Sequence, residues 1–284
     1  MNSILMATDL SNRAKRALGR AVMLAAESGA RLTVVHVMDE DLAKPVADAH
    51  RAGAEQTIRD QLGAAAGAGL AQDRVSVEIV AGDALGEILA AASRAAADLV
   101  VLGMHRKSGF RDRFLGTTVE RVLRNARPPV LVVKDEPEKP YRRLMVGIDF
   151  SACSRQALQW ALRLVPGGEF HLVHAFTTPF STILTDPSTH RRVADEHRQD
   201  LSRLIEEEMQ AFIQRFPDHA ERIKVSMVEG EVIDVLASEW HRIEPDLLVL
   251  GTHSRTGVAQ RFLGSVAETS LANPPCDVLV VKGW

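Results

Sequence analysis

Residues Leu99-Val100-Val101-Leu102-Gly103-Met104-His105 form a short apolar run that stops at a glycine, and Leu247-Leu248-Val249-Leu250-Gly251-Thr252-His253 repeat it 148 residues later. Four consecutive apolar residues without alternation read as a strand buried on both faces, which points to a parallel sheet covered by helices. Working outward, the same order of landmarks occurs twice. Ile4-Leu5-Met6-Ala7-Thr8-Asp9-Leu10-Ser11 is echoed by Leu144-Met145-Val146-Gly147-Ile148-Asp149-Phe150-Ser151. Arg113-Phe114-Leu115-Gly116-Thr117 is echoed by Arg261-Phe262-Leu263-Gly264-Ser265, and Val130–Lys134 by Val278–Lys282. The offset is 140 at the first pair and 148 at the others, so the second copy carries eight extra residues in its middle. Repeats of this kind decide the architecture before any local detail. Asp135-Glu136-Pro137-Glu138-Lys139-Pro140, with two prolines and three acids, reads as an exposed connection. The expected division is 1–136, a linker at 137–140, and 141–284.

Within each copy the hydrophobic period alternates between strand and helix. In the first, apolar runs at Ile4–Ala7, Leu32–Val37, Val75–Val80, Leu99–Leu102 and Val130–Val133 read as strands. Between them, Ala14, Ala17, Leu18, Ala21, Val22 and Ala25 recur at helical spacing, with Ser11 or Asn12 to cap the start and Gly29 the end. Residues 47–68, 84–97 and 117–126 are helical in composition. The second copy places strands at Leu144–Ile148, Phe170–His174, Lys224–Val228, Leu247–Leu250 and Val278–Val281. The order βαβαβαβαβ predicts an α/β fold: in each copy a five-stranded parallel sheet with helices on both faces and right-handed crossovers.

Composition sets limits. The chain has 284 residues, 46% hydrophobic and 25% charged, enough for two cores of ordinary domain size. A net charge of −3, 5% aromatics and a single tyrosine leave no general attraction for a polyanion and no base-stacking platform, so nucleic acid is not expected as a partner. Cys153 and Cys276 make neither a disulfide framework nor a CxxC site, which suits a reducing compartment. There is no signal-peptide pattern and no apolar run of spanning length, so a cytoplasmic protein without a membrane partner is expected.

An open parallel sheet binds ligands at the carboxyl ends of its strands. That rule selects Asp9, Val37, Gly82-Asp83 and the loop from Gly103 to Gly116 in the first copy. In the second it selects Asp149, Ala175, Gly230-Glu231 and the loop from Gly251 to Gly264. Each long loop ends in a glycine followed by a hydroxyl residue that opens a helix, Gly116-Thr117 and Gly264-Ser265. Glycine permits close approach of backbone to an oxyanion, and a helix start offers unpaired N–H groups. The alternative reading of Thr117 or Ser265 is a simple N-cap. The basic residues Arg106, Lys107, Arg111, Arg113, Arg255 and Arg261 gather in these loops, which favours a small anion.

The two loops, Gly103–Thr117 and Gly251–Ser265, resemble the universal stress protein signature, which in ATP-binding members runs G-x2-G-x9-G-[ST]; the resemblance extends over essentially the whole chain as two tandem domains. It implies a flavodoxin-like (adenine nucleotide alpha hydrolase-like) sheet of order 3-2-1-4-5 in each half and pairing through the last strand. Val130–Val133 and Val278–Val281 would then join antiparallel, making an intramolecular pseudo-dimer and covering edges that would otherwise invite aggregation. Further association into a homodimer is expected. By position, Asp9 and Val37, or Asp149 and Ala175, would hold the adenosine part of ATP, with or without Mg²⁺. Gly103, Gly116 and Thr117, or Gly251, Gly264 and Ser265, would hold its phosphates. Both copies depart from the signature at its second glycine, which is Arg106 in one and Ser254 in the other. Arg106 could fill the phosphate space or donate to a phosphate. Ser254 is small, so the second copy is the preferred ATP site.

The resemblance thus implies a nucleotide-binding module of the cellular stress response, non-catalytic or at most a slow ATPase, answering to regulatory protein partners that the sequence does not identify. No Cys–His or Ser–His nucleophile pattern is evident. The alternative is an ATP-independent stress protein that binds a small molecule, lipid or metal through the expanded second domain around 177–189. His171, His174, His190 and His197 lie in that part of the chain, but no cysteine joins them and their spacing is not that of a zinc site. Asp9 has a second reading as a helix-capping residue, Cys153 as an inert thiol, and Glu206-Glu207-Glu208 as a solvated helix face.

Overall fold

In the computed structural model, residues 1–65, 69–104, 117–177, 187–252 and 263–283 are described, with the side chains of 117 and 187–198 left aside. The first copy contributes β1 (Ser3–Thr8), α1 (Asn12–Ser28), β2 (Arg31–Met38), α2 (Lys44–Ala65), β3 (Val75–Ala81), α3 (Ala84–Arg94), β4 (Leu99–Gly103), α4 (Thr117–Asn125) and β5 (Val130–Val133). The second contributes β6 (Arg143–Gly147), α5 (Ala152–Leu164), β7 (Glu169–Phe176), α6 (Pro187–Ile213), β8 (Ile223–Glu229), α7 (Val232–Ile243), β9 (Leu247–Gly251), α8 (Ser265–Ala272) and β10 (Asp277–Val281).

All ten strands join one sheet in the order β3-β2-β1-β4-β5-β10-β9-β6-β7-β8. Each half has the expected 3-2-1-4-5 order with parallel neighbours. The halves meet where β10 runs antiparallel to β5, with Leu279 opposite Leu131 and Val280 opposite Val130. The pairing expected from the resemblance is therefore made within the chain. Leu131 and Leu279 are fully buried, so the joint is core rather than surface.

The period of two along the strands divides the core into two layers. Ile4, Met6, Val34, Leu131 and Leu279 face α1, α2, α5 and α6 in one layer, which runs unbroken across both copies. Leu5, Ala7, Val35, Val130 and Val280 face α3, α4, α7 and α8 in the other. Helix ends follow the sequence. Ser11 Oγ accepts the Ala14 N–H at 3.3 Å and Gly29 closes α1 at φ 66°, a left-handed conformation that favours glycine. Asp83 caps α3 by accepting the Gly86 N–H at 2.9 Å, and that bond chiefly holds its carboxyl below the usual range.

Residues 135–140 are mostly exposed. The polar cluster beside them is not. Arg20 on α1, Tyr141 just past the connection and Asp277 at the start of β10 are all buried. Among the described residues no helix is long and apolar enough to cross a membrane.

Candidate functional site

Two cavities open at the carboxyl ends of the strands, one per copy, at the points where neighbouring connections leave for opposite faces. The first has a volume of about 440 Å³ and is lined by Asp9, Val37 and Gly103, and by Thr118 and Val119 in the first turn of α4. The second, of about 300 Å³, is lined by Asp149, Ala175, Gly251, Gly264 and Ser265. Both volumes are at the scale of small-molecule sites. Sequence reasoning thus brought five residues from four separate segments of the second copy to one cavity. Arg106, Gly116 and Ser254 lie outside the described residues, as does the side chain of Thr117.

Local chemistry explains how the aspartates are held. Asp9 Oδ1 accepts the Ser11 N–H at 3.0 Å, and Asp149 Oδ1 accepts the Ser151 N–H at 3.0 Å. Each carboxylate closes a turn two residues on, while the cap of the next helix is the serine itself. The capping alternative for Asp9 is therefore met only in this supporting sense, and each carboxylate keeps a second oxygen.

The glycines at the strand ends are packed tightly against neighbouring protein. A Cβ on Gly103 would stand 2.8 Å from the Arg13 carbonyl oxygen, and one on Gly251 would stand 2.9 Å from Cys153 Cβ. A Cβ on Gly264 would stand 2.7 Å from the Thr252 carbonyl oxygen, which accepts the Gly264 N–H at 2.8 Å. None of these three needs left-handed backbone. They bring β4 and β9 against the first turns of α1 and α5, and α8 against the end of β9. The absence of a side chain at these three positions is what permits this close packing. The simple capping alternative for Ser265 does not hold. Gly264 occupies the cap of α8, no side chain closes it, and Ser265 is the first helical residue with its place in the cavity lining.

Two further residues line the cavities: His36, which the sequence reading did not single out, and His174, which it weighed only for a metal. His36 and His174 occupy matching positions at the ends of β2 and β7 and line the two cavities. His36 Nδ1 lies 2.9 Å from the Thr8 carbonyl, and His174 Nδ1 lies 2.8 Å from that of Ile148. A carbonyl only accepts, so Nδ1 carries the proton in both. Nε2 of His36 is then an acceptor, and it is buried without a hydrogen-bond partner. The signal was available in the repeat, as the last histidine of Val34-Val35-His36 and Leu172-Val173-His174.

His171 pairs instead with Glu169, a carboxylate that Lys224 and His171 together hold below its usual range. Among the described residues no group of three or more His, Cys, Asp or Glu is placed to hold a metal. Cys153 and Cys276 are buried free thiols, and burial pushes that of Cys276 up to about 12. Glu206, Glu207 and Glu208 are exposed on α6.

Fold and cavities together define a tandem flavodoxin-like α/β protein with one cavity at the switch point of each half. The sequence model of the universal stress protein family matches the chain twice, over residues 1–134 and 140–282. A universal stress protein of Methanocaldococcus jannaschii is 30% identical over 149 residues, covering 51% of this chain and 84% of that protein. Universal stress protein E of Escherichia coli K12 is 27% identical over 197 residues, 65% of this chain and 60% of that one. The crystal structure of a universal stress protein from Archaeoglobus fulgidus shares the fold over 100% of this chain and 99% of its own, with a TM-score of 0.72 at 22% identity. The chain belongs to the universal stress protein family, in its tandem form.

Proposed function

We propose that the protein binds an adenine nucleotide at the carboxyl edge of its sheet and serves as a ligand-responsive module of the stress response. The observation that carries this reading is the convergence of Asp149, Ala175, Gly251, Gly264 and Ser265 on one cavity. Asp149 offers a carboxylate to ribose hydroxyls, and Ala175 offers backbone groups at the end of β7. The open first turn of α8 offers N–H donors to phosphate. The second copy, with a small residue at position 254, is the preferred ATP site. Any turnover would be slow, because no activated nucleophile faces the cavity among the described residues. ATP, with or without Mg²⁺, is expected to raise the melting temperature, as a ligand selective for the folded state must. No shift at millimolar ATP would overturn the reading.

A second reading, an ATP-independent ligand, draws on the apolar wall of the same cavity, made by Ile148, Val173, Val232, Leu236, Leu250 and Val266. Native mass spectrometry distinguishes the two through the mass of any co-purified ligand. To dissect the copies we propose the boundaries 1–136 and 141–284 with a linker at 137–140. Any homodimer has to use surfaces other than the inner edges of β5 and β10, which pair with each other.

A further inference from the structure

Four described residues other than glycine have a left-handed backbone: Leu10 at φ 63°, Ala96 at 44°, Phe150 at 61° and Glu244 at 50°. Ala96 and Glu244 follow the ends of α3 and α7, where that conformation is a common way to stop a helix. Leu10 and Phe150 have no such reason. They occupy matching places directly after Asp9 and Asp149, and a bulky side chain disfavours a positive φ. Strain kept at the same point in both copies, beside aspartates that line both cavities, has to be held by its surroundings.

The two copies hold it by different means. In the first, Thr8 Oγ1 accepts the Leu10 N–H at 3.0 Å, and Leu10 packs against the small cluster of Met38, Ala54 and Ile79. In the second, position 148 is an isoleucine with no hydroxyl to offer. There the Phe150 ring lies 4.6 Å from that of His174 and 6.1 Å from that of Phe212, centroid to centroid. Both supports are themselves fixed. His174 donates from Nδ1 to the Ile148 carbonyl, and Phe212 is buried on α6. Phe150 is the middle residue of the turn that Asp149 closes on the Ser151 N–H. Its φ therefore decides where that N–H stands, and with it where the carboxylate is tethered. We propose that Phe150 is a positioning residue of the second cavity: its ring, packed on His174 and Phe212, holds the left-handed turn that presents the Asp149 carboxylate to a ribose. The inference rests on the nucleotide reading above and deepens it, since Asp149 is the group assigned there to the ribose hydroxyls. It also gives α6 a part in the site, through Phe212.

The test uses the full chain as wild type, Phe150→Leu, Phe150→Gly, Phe150→Ala, Asp149→Ala and the double variant Asp149→Ala with Phe150→Ala. Phe150→Leu installs the residue that the first copy carries at this turn, and so serves as the conservative control. ATP and 2′,3′-dideoxy-ATP are titrated separately, with the Gly251 amide shift reporting on the second cavity. Hydrogen exchange of the Ser151 amide is measured without ligand. The dideoxy compound lacks the hydroxyls that Asp149 would meet, so the ratio of the two affinities isolates that contact. Wild type is expected to prefer ATP by about tenfold or more, the scale of a hydrogen bond to a charged group. Phe150→Ala keeps the strain and loses the support. It should lower that preference by about three- to tenfold and speed Ser151 exchange. Phe150→Gly adopts the turn freely but unsupported and should lose less, and Phe150→Leu should stay near wild type. With Asp149→Ala in place, Phe150→Ala should change the ratio no further. A side chain that merely packs would weaken both nucleotides equally. An unchanged ratio in Phe150→Ala and Phe150→Gly, or equal affinities in wild type, overturns this inference and leaves adenine binding standing. If Phe150→Ala does not fold, Phe150→Gly decides by the same criterion. No response of wild type to either nucleotide overturns the nucleotide reading. Ser151 exchange then decides alone: faster exchange in the glycine and alanine variants supports the hold of Phe150 on the turn, and unchanged exchange overturns it.

Discussion

The Tyr141 hydroxyl donates to Asp277 Oδ2 across 2.5 Å, joining the end of the inter-copy connection to the first residue of the last strand. The other Asp277 oxygen accepts the backbone N–H groups of Lys134 at 2.8 Å and Asp135 at 3.1 Å. Arg20 Nε lies 3.4 Å from Oδ2, a charge contact without hydrogen-bond geometry, and its guanidinium stacks 4.0 Å over the Tyr141 ring. Arg20 also donates from Nη1 to the Lys139 carbonyl at 2.8 Å. One buried carboxylate thus fastens a helix of the first copy, the connection and a strand of the second.

Removing members of this cluster should cost unequal amounts. Asp277→Ala leaves the Arg20 charge buried alone and should destabilise by about 3–5 kcal/mol. Tyr141→Phe loses one charge-assisted bond and should cost about 1–3 kcal/mol. Urea denaturation, read as a change in midpoint at constant slope, measures both. A cost below that of Tyr141→Phe for Asp277→Ala would show that the cluster does not hold the halves together.

Burial first, and the Asp277 charge second, hold the Tyr141 proton well above its ordinary value. The folded state therefore binds that proton more tightly than the unfolded chain. Its contribution to stability is complete below about pH 10 and is lost as pH rises through the folded value. The Cys276 thiol, pushed up to about 12, acts in the same direction, its contribution being lost from about pH 9 upward. Because Tyr141 is the sole tyrosine, tyrosinate absorbance reports on it alone. The absorbance should appear together with loss of far-ultraviolet circular dichroism. Tyrosine ionising near pH 10 in a folded protein would contradict its place in the cluster.

If the strand-end glycines serve packing, their replacement must be felt without any ligand. Gly103→Ala and Gly251→Ala each push a methyl group against the first turn of the adjacent helix. Each should destabilise the ligand-free protein by about 1–3 kcal/mol, the usual cost of overpacking. Unchanged stability combined with weaker nucleotide binding would instead assign these glycines to the ligand.

His36 should be found as the Nδ1-protonated tautomer, which long-range nitrogen–proton NMR identifies directly. His36→Leu removes the donor to the Thr8 carbonyl and should cost about 1–3 kcal/mol. A proton on Nε2 instead would remove the basis for that bond.

The fold was legible because its signals are local and occur twice. Apolar runs such as Leu99–Leu102 and Leu247–Leu250 are buried strands whatever surrounds them, and the position of each strand end follows from their length. Asp149, Ala175, Gly251, Gly264 and Ser265 could be gathered for the same reason: a parallel sheet brings every strand end to one edge. What could not be read depends on contacts between distant residues. Tyr141 and Asp277 are separated by 136 residues, and Arg20 sits in a helix where an arginine would ordinarily face water. Glycine in a loop suggested room for phosphate, while the room at Gly103 is taken by the carbonyl of Arg13. His36 was not singled out, and His174 was weighed only as a metal ligand, because a polar residue in a strand says nothing of the carbonyl it will meet.

The β5–β10 joint within one chain has a consequence for what can vary. In a dimer of identical subunits related by a two-fold axis, every substitution occurs at two places and must suit both. Here each substitution occurs once. A carboxylate can stand at Asp277 while Pro129, at the matching place in the first copy, needs no partner for it. Cys153 can be a packing thiol while Arg13 is a cation. Covalent linkage has relieved the two halves of self-complementarity, and with it of any requirement that both answer to the same ligand.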